Sequence, residues 1–232
     1  MSTVYIISAP SGSGKSTLVE KVRQLVPQLD FSISYTTRPP RRNEKNGREY
    51  FFVSRDEFEK MIRDDEFLEH ANVFGNYYGT ARRFLREAEL NNHDLLLDID
   101  VQGAEQIKRV LPPAVSIFVL PPNRAELEKR LRNRSLDTEQ VIQHRLVKAS
   151  GEIEKYGKYD YILVNDRLDD SIAALRAILM SDRLKRSGGQ QSGSDCEMLA
   201  IAEHCRLENV RDRVKPILDS FASATDPAAA NR

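Results

Sequence analysis

The sequence contains few of the features that mark secreted, zinc-binding or membrane proteins. It has two cysteines, Cys196 and Cys205, which are too few for a disulfide framework or a zinc site. Its four histidines are scattered without ligand spacing. No leader opens the chain, and no apolar stretch approaches the roughly 18 residues that cross a bilayer. We therefore expect a cytoplasmic protein with reduced thiols.

Charge and length also limit the function classes. The chain has 35 basic and 35 acidic residues, so no overall charge favours nucleic acid. With 232 residues, 40% of them apolar, it fits one large domain or an ordinary domain with an appendage. We expect neither nucleic acid nor a membrane as partner.

Apolar runs alternate with helical periodicity along most of the chain. Strand-like runs occupy residues 4–7, 95–99, 115–120 and 161–164, and helical stretches lie near 102–110, 123–134 and 138–155. A further helical period follows the first run, from Leu18 to Leu29. This alternation predicts an α/β fold with a mainly parallel sheet covered by helices.

Residues 31–80 have a different pattern, with the shorter alternating pieces FSISYTT, EYFFV and FLEHA. One helix should begin at Ser54, because Ser54 and Glu57 form a capping box and Phe58, Met61 and Ile62 share one face behind them. This segment is interpreted as an inserted, partly antiparallel subdomain.

The end of the chain is expected to lie outside the main domain. Residues 187–197 include the run SGGQQSGSD, whose composition is typical of a flexible linker. The tail 198–232 contains one amphipathic segment, Met198 to Phe221. Two alternatives remain for it: self-association into a homo-oligomer, or a loosely packed appendage. In either case, truncation after Arg186 is expected to leave activity intact.

The stretch SAPSGSGKST, Ser8 to Thr17, follows the first strand and precedes a helix, which is the context of a phosphate-binding loop. Ala9 replaces the usual first glycine, which the loop tolerates if φ there is negative. The residues expected to bind ATP are Ser11, Gly12, Ser13, Gly14, Lys15, Ser16 and Thr17. Lys15 should contact the outer phosphates and the Ser16 hydroxyl should ligate Mg²⁺.

The run LLLDID places carboxylates at the end of a buried strand. Asp98 is expected to hold Mg²⁺ through water, and Asp100 follows it closely. Acidic residues at a strand end are weak evidence by themselves, but they support the interpretation of Ser8 to Thr17 as a nucleotide-binding loop.

A basic segment, SYTTRPPRRNEKNGREYFF, offers a second anion site. Pro39 and Pro40 favour polyproline II, whose three-residue turn directs Arg38 and Arg41 to one side as a phosphate clamp. Tyr50, and Tyr78 in NYYGT, are candidates for additional phenolic donors to the same anion.

Together these pieces resemble the guanylate kinases, in particular the bacterial members, over roughly residues 3–186. The matching motifs, in order, are SAPSGSGKST, SYTTRPPR, GREYFF, FLEHANVFGNYYGT, LLLDIDVQGA, IFVLPP, the RLRNR to HRL segment and YDYILVND. The resemblance implies a three-layer P-loop kinase fold in residues 1–186. It also implies a GMP-binding insert at about 34–80 and a helical lid at about 124–156.

The resemblance also implies residue roles. Arg38, Arg41, Tyr50 and Tyr78 match the GMP phosphate clamp, Ser34, Glu69 and Thr80 match the guanine readers, and Asp100 lies near the GMP and metal side. Arg134 and Arg145 match lid arginines that reach the phosphates of ATP when the lid closes, with Arg130 as a weaker candidate. Glu69 is expected to accept two guanine donors, with Ser34 and Thr80 donating to the guanine oxygen.

The expected reaction is transfer of the γ-phosphoryl group of ATP to GMP, with Mg²⁺. The acceptor phosphate is largely dianionic at neutral pH, so no strong general base is needed. Two alternatives are a non-catalytic guanylate-kinase-like binding module, which would tolerate loss of Lys15, and a related kinase with another phosphorylated acceptor. The second alternative should lack the set Ser34, Glu69 and Thr80, which this chain has.

Overall fold

The computed structural model describes residues 2–41, 43–73, 75–134, 138–188 and 193–222, without the side chains of Arg134 and Ser194. The chain divides into two compact units. The first consists of Met1–Ile7 and Pro27–Ser116, and the second of Ser8–Val26 and Ile117–Arg232. This division differs from the single 1–186 domain expected from the sequence.

The elements in chain order are β1 (Val4–Ser8), α1 (Lys15–Leu25), β2 (Leu29–Ser32), β3 (Tyr35–Thr36), β4 (Phe51–Phe52), α2 (Arg55–Arg63), β5 (Phe67–Val73), β6 (Asn76–Ala81), α3 (Arg82–Asn91), β7 (Asp94–Asp98), α4 (Val101–Val110), β8 (Val115–Leu120), α5 (Arg124–Arg134), α6 (Glu139–Ile153), β9 (Tyr161–Val164), α7 (Leu168–Ser187), α8 (Gly193–His204) and α9 (Leu207–Ala222). A 3₁₀ turn, Glu154–Lys158, follows α6.

The first unit contains two sheets. In one, β7 lies between β2 and β1 and pairs with both in parallel, so that Leu96 is level with Phe31 and Asp98 with Ile7. The other sheet has the order β4-β3-β6-β5 and is mixed, with antiparallel β3/β6 and β5/β6 pairs and a parallel β3/β4 pair. The predicted change from parallel to partly antiparallel pairing is confirmed.

Helix α2 begins where the sequence predicts. The Ser54 hydroxyl accepts a hydrogen bond from the Glu57 N–H at 3.1 Å, which satisfies one free amide of the first turn. Phe58 and Met61 are buried behind this cap and pack with Phe67 and Ala81. The apolar face of α2 therefore fixes the helix to the mixed sheet.

The second unit contains the parallel pair β8 and β9, with Phe118 level with Ile162. Helix α1 buries Leu18, Val19 and Val22, at the spacing of one helical face. Helix α7 packs against both α1 and α8. The α/β fold class and its parallel strands are confirmed in these pairings.

The tail differs from the loosely packed appendage that was one of its two sequence alternatives. It forms two helices, and α8 begins at Gly193, inside the stretch expected to be a linker. The Cys205 carbonyl accepts a hydrogen bond from the Ile162 N–H at 2.8 Å. Arg206 forms an isolated antiparallel β-bridge with Tyr161 of β9. Within the second unit the buried tail residues are Ala202, Cys205, Val210, Val214, Ile217 and Phe221. These buried side chains of α8, α9 and the turn between them are thus packed inside their own chain.

Candidate active site

The phosphate loop connects β1 to α1 in the second unit and has the backbone that the sequence predicts. Gly12 and Gly14 have φ of 93° and 86°, in the left-handed region that favours glycine. Ala9 is not among the described non-glycine residues with positive φ, which are Gln28, Asp65 and Asn92. Alanine therefore fits the first position of the loop without strain.

The start of α1 is suited to an anion. Lys15 is the first residue of the helix, and the first turn contains no acidic residue that would compete for its amides. Lys15 is half-buried, whereas Ser16 and Thr17 are exposed. The amides of a first helical turn, a lysine and two hydroxyls therefore occur together at one helix N-terminus, which is a phosphate-binding arrangement.

Asn165 supports this loop, and sequence reasoning did not assign it a role. Its side chain is 5% exposed, and its Nδ2 donates to the carbonyl of Ser13 at 2.7 Å, across 152 positions of sequence. A Cβ at Gly14 would collide with the same Nδ2. Asn165 therefore both holds the loop and requires glycine at position 14. It lies in the quoted motif YDYILVND, but only the fold brings it to the loop.

The carboxylates after β7 belong to the first unit. Asp98 ends the strand, and Asp100 caps α4 by accepting from the Gly103 N–H at 2.9 Å. Across the described ranges, no group of three or more His, Cys, Asp or Glu side chains forms a metal cage. The oxygens of Ser16 and Asp98 are nevertheless the ligand type that Mg²⁺ prefers, and this ion usually keeps waters and substrate phosphates as its other ligands.

The predicted phosphate clamp lies in the first unit and is organised around Glu44, another residue that sequence reasoning missed. Arg38 Nη2 is 2.9 Å from Glu44 Oε1, and the Arg41 N–H donates to Oε2 at 2.7 Å. Burial alone would raise the pKa of Glu44, but the hydrogen bonds and the charges of both arginines lower it overall. Glu44 therefore stays ionised between the two arginines.

Two tyrosines complete this cluster. The Tyr50 and Tyr78 rings meet edge to face with centroids 5.8 Å apart, and the Arg38 guanidinium lies 5.4 Å from the Tyr50 ring centre. Burial, followed by the charge of Asp98, raises the pKa of Tyr50 to about 12. The Tyr50 phenol is therefore neutral near pH 7 and keeps its proton for donation to an anion.

The three predicted base readers are distributed over neighbouring strands. Thr80 on β6 donates from its hydroxyl to Glu69 Oε1 on β5 at 2.7 Å, and both residues are buried. Ser34 is half-buried beside β3, and its carbonyl accepts from the Phe51 N–H. Since a hydroxyl has one proton, Thr80 uses for Glu69 the donor that the sequence interpretation assigned to guanine.

Glu69 has an unusual electrostatic environment. Burial raises the pKa of its carboxyl to about 7; the Thr80 hydrogen bond opposes this shift and the charge of Asp100 adds to it. Gly103 leaves the space that the carboxylate occupies, because a Cβ there would stand 2.5 Å from Glu69 Oε2. The structure therefore holds a carboxyl group that can ionise at physiological pH.

Helices α5 and α6, where the sequence predicts a lid, carry the other arginines predicted to act at ATP. Arg130 on α5 pairs with Glu126 at 3.0 Å and donates from Nη1 to the Asn165 carbonyl at 3.1 Å. Arg132 joins α5 to α6 by donating to Glu139 at 2.8 Å. Arg145 on α6 is half-buried, and the side chain of Arg134 lies outside the described part of the structure.

No described helix is long and apolar enough to cross a membrane.

Comparison with known proteins points to one family. A guanylate kinase family model matches residues 1–182. A guanylate kinase of Koribacter versatilis is 56% identical over 228 residues, covering 97% of this chain and 98% of that protein. One from Escherichia coli is 48% identical over 191 residues, covering 82% and 92%. The crystal structure of guanylate kinase from Anaplasma phagocytophilum has a TM-score of 0.66 at 33% identity, covering 78% of this chain and 86% of its own.

Proposed function

This chain belongs to the guanylate kinase family and is an ATP:GMP phosphotransferase, and we propose a division of that reaction between its two compact units. The second unit binds ATP through the phosphate loop, and the first unit binds GMP through the arginine–tyrosine cluster and Glu69. The observation that carries GMP selection is the buried Glu69 carboxyl held by Thr80.

In the donor half, backbone amides of Ser11 to Thr17 bind the phosphates of ATP. Lys15 offsets charge that develops on the outer phosphates as the γ-phosphoryl group departs. Asn165 keeps the loop in shape by holding the carbonyl of Ser13 away from the anion. Arg134 and Arg145 contact the phosphates of bound ATP, while Arg130 is already engaged by Glu126 and Asn165.

In the acceptor half, Arg38, Arg41, Tyr50 and Tyr78 bind the phosphate of GMP. Two guanidiniums and two phenol O–H groups supply donors to the phosphate oxygens, which suits a dianion. The second pKa of a phosphate monoester is about 6, so the attacking oxygen is already deprotonated at neutral pH. This accounts for a site with cations and carboxylates in which no residue is assigned as a general base.

Guanine is read by hydrogen-bond pattern. Guanine N1–H and the N2 amine lie side by side, and the Glu69 carboxylate can accept from both. Adenine offers an acceptor at N1 and no N2 amine, so AMP would leave Glu69 facing a lone pair. Thr80 contributes by orienting the carboxylate, and Ser34 is the remaining donor for the guanine oxygen.

The proposed reaction uses Mg²⁺, and the residues that would hold it are Ser16 and Asp98. Ser16 would ligate the ion directly, and Asp98 would hold it through water, with Asp100 nearby. When bound, the ion neutralises phosphate charge during transfer.

A cytoplasmic location, where ATP and GMP are used, is part of the same proposal. A homo-oligomer through the tail would use exposed residues such as Ile201.

Lys15 gives the sharpest test of the donor half. Lys15→Met should lower kcat by at least about a hundredfold and leave the thermal midpoint within a few degrees, because Lys15 acts on charge and not on core packing. The matched control is Lys21→Met, an exposed lysine on the same helix. Activity of Lys15→Met within about threefold of wild type would refute its role.

A further inference from the structure

The C-terminal helix α9 lies beyond the residues that the family model matches. It packs against α5, α6, α8 and β9, all within the second unit. Its inward residues Val210, Val214, Ile217 and Phe221 recur at helical spacing and are buried. Such burial removes apolar surface from water and stabilises the packed position, so α9 is a fixed part of this unit.

One polar contact ties α9 to the beginning of α5. The Ser220 hydroxyl accepts from the Arg124 N–H at 3.1 Å and donates to the Ile217 carbonyl at 2.6 Å. Asn123 Oδ1 accepts from the Glu126 N–H at 2.8 Å in the same turn. A helix leaves its first amides without internal partners. Ser220 therefore supplies from the tail a cap that α5 cannot supply itself.

Helix α5 in turn lies against the phosphate loop. Leu127 and Leu131 are buried, and a Cβ at Gly12 would be only 3.0 Å from a methyl carbon of each. Along the same helix, Arg130 holds the Asn165 carbonyl while Asn165 holds the Ser13 carbonyl. The loop is thus supported by two leucines of α5 and by the hydrogen bonds that link Arg130, Asn165 and Ser13.

We propose that α9 braces the ATP site, with Ser220 as a positioning residue that fixes α5 and, through α5, the phosphate loop. This inference rests on the proposed function, because it takes ATP as the ligand of the phosphate loop. The physical reason is close packing: a helix that shifts by a fraction of an ångström at Arg124 cannot keep both Leu127 and Leu131 on Gly12. Helix α9 therefore sets ATP affinity through its contacts with α5.

The test uses the full-length chain with three substitutions. Ser220→Ala removes the cap, Ser220→Thr retains a hydroxyl, and Ser187→Ala removes an exposed helix-end hydroxyl that donates to the Leu184 carbonyl of its own turn. Amide hydrogen exchange is followed in peptides covering residues 9–17 and 123–131, with and without a non-hydrolysable ATP analogue. KM for ATP and for GMP is measured on the same samples.

Ser220→Ala should speed exchange in both peptides and raise KM for ATP about fivefold, the equivalent of one hydrogen bond, with KM for GMP and kcat changed less than about twofold. Ser220→Thr and Ser187→Ala should behave as wild type. A lower thermal midpoint for Ser220→Ala, with unchanged loop exchange and unchanged KM for ATP, would overturn the proposal and leave α9 a stabilising element only. Exchange does not depend on the acceptor, so a wild-type protein that failed to phosphorylate GMP would refute the proposed function separately.

Discussion

The Thr80 hydroxyl donates a hydrogen bond to Glu69 Oε1 at 2.7 Å, and both side chains are buried in the mixed sheet. The contact joins directly paired residues of β5 and β6. Its donor atom is used on the protein, so Thr80 fixes one oxygen of the carboxyl group. The other oxygen, Oε2, lies against Gly103.

The first prediction concerns stability and pH. Burial raises the pKa of Glu69 to about 7 in the folded protein from a usual 4.5. A raised folded pKa means that protonation favours the folded state, so this contribution is complete below about pH 4.5 and is lost as pH rises through 7. Between about pH 5 and pH 8, wild type should lose roughly 3 kcal/mol more unfolding free energy than Glu69→Gln. Parallel urea titrations of the two proteins measure this difference, and equal losses would contradict the shifted pKa.

The second prediction follows the proton when GMP binds. A carboxylate that accepts two guanine donors must be ionised, so binding should release the proton that Glu69 carries near pH 6.5. Calorimetry in buffers of different ionisation enthalpy counts released protons. Glu69→Gln serves as the control, because it keeps the contribution of the GMP phosphate. Wild type should release about half a proton or more per GMP beyond this variant. Identical proton counts would show that Glu69 is not the group that ionises.

The third prediction tests the space beside Glu69. Gly103→Ala would place a Cβ 2.5 Å from Oε2 and displace the carboxylate. The expected result is a rise of about tenfold or more in KM for GMP, with KM for ATP unchanged. Gly151→Ala is a matched control on α6, because a Cβ there meets nothing within 4 Å. If the two alanine variants bound GMP equally well, the close approach would have no role in recognition.

The fourth prediction concerns Asn165. Asn165→Asp replaces the amide donor with an oxygen that faces the Ser13 carbonyl, so the loop loses a buried hydrogen bond and gains a repulsion. KM for ATP should rise about tenfold, while KM for GMP stays within about twofold. Asn91→Asp, on the exposed end of α3, controls for the added charge. A rise in KM for GMP alone would disagree with this assignment.

Local features of both sites were predictable from sequence. The phosphate loop is one continuous segment whose glycines fix its backbone, and the Ser54 cap involves residues three positions apart. The family resemblance assigned Ser34, Glu69 and Thr80 together to guanine recognition, but the donation of the Thr80 proton to Glu69 was not foreseen. In these cases the chemistry lies in neighbouring residues or in a recognised motif.

Long-range supports were not predictable in the same way. Asn165 and Ser13 are 152 positions apart, and Ser220 and Arg124 are 96 apart, so only tertiary packing brings them together. The packing of the tail was not predicted for a related reason. Its Gly/Ser/Gln run has few apolar side chains to bury, but the residues after this run have several. Truncation after Arg186 would therefore remove Val210, Val214 and Phe221 and expose the apolar surface against which they pack. The expectation of intact activity assumed that the tail covers no such surface.

The central claim is that Glu69 selects GMP, and the most direct measurement is kcat/KM for GMP and AMP with wild type and Glu69→Gln at saturating ATP. A buried group left without its partner costs about 1–3 kcal/mol, and more when charged. Glu69→Gln should therefore lower kcat/KM for GMP by about two powers of ten or more and narrow the gap to AMP, with KM for ATP little changed. Glu69→Gln that kept the wild-type preference for GMP over AMP would contradict the account and move guanine recognition to other residues.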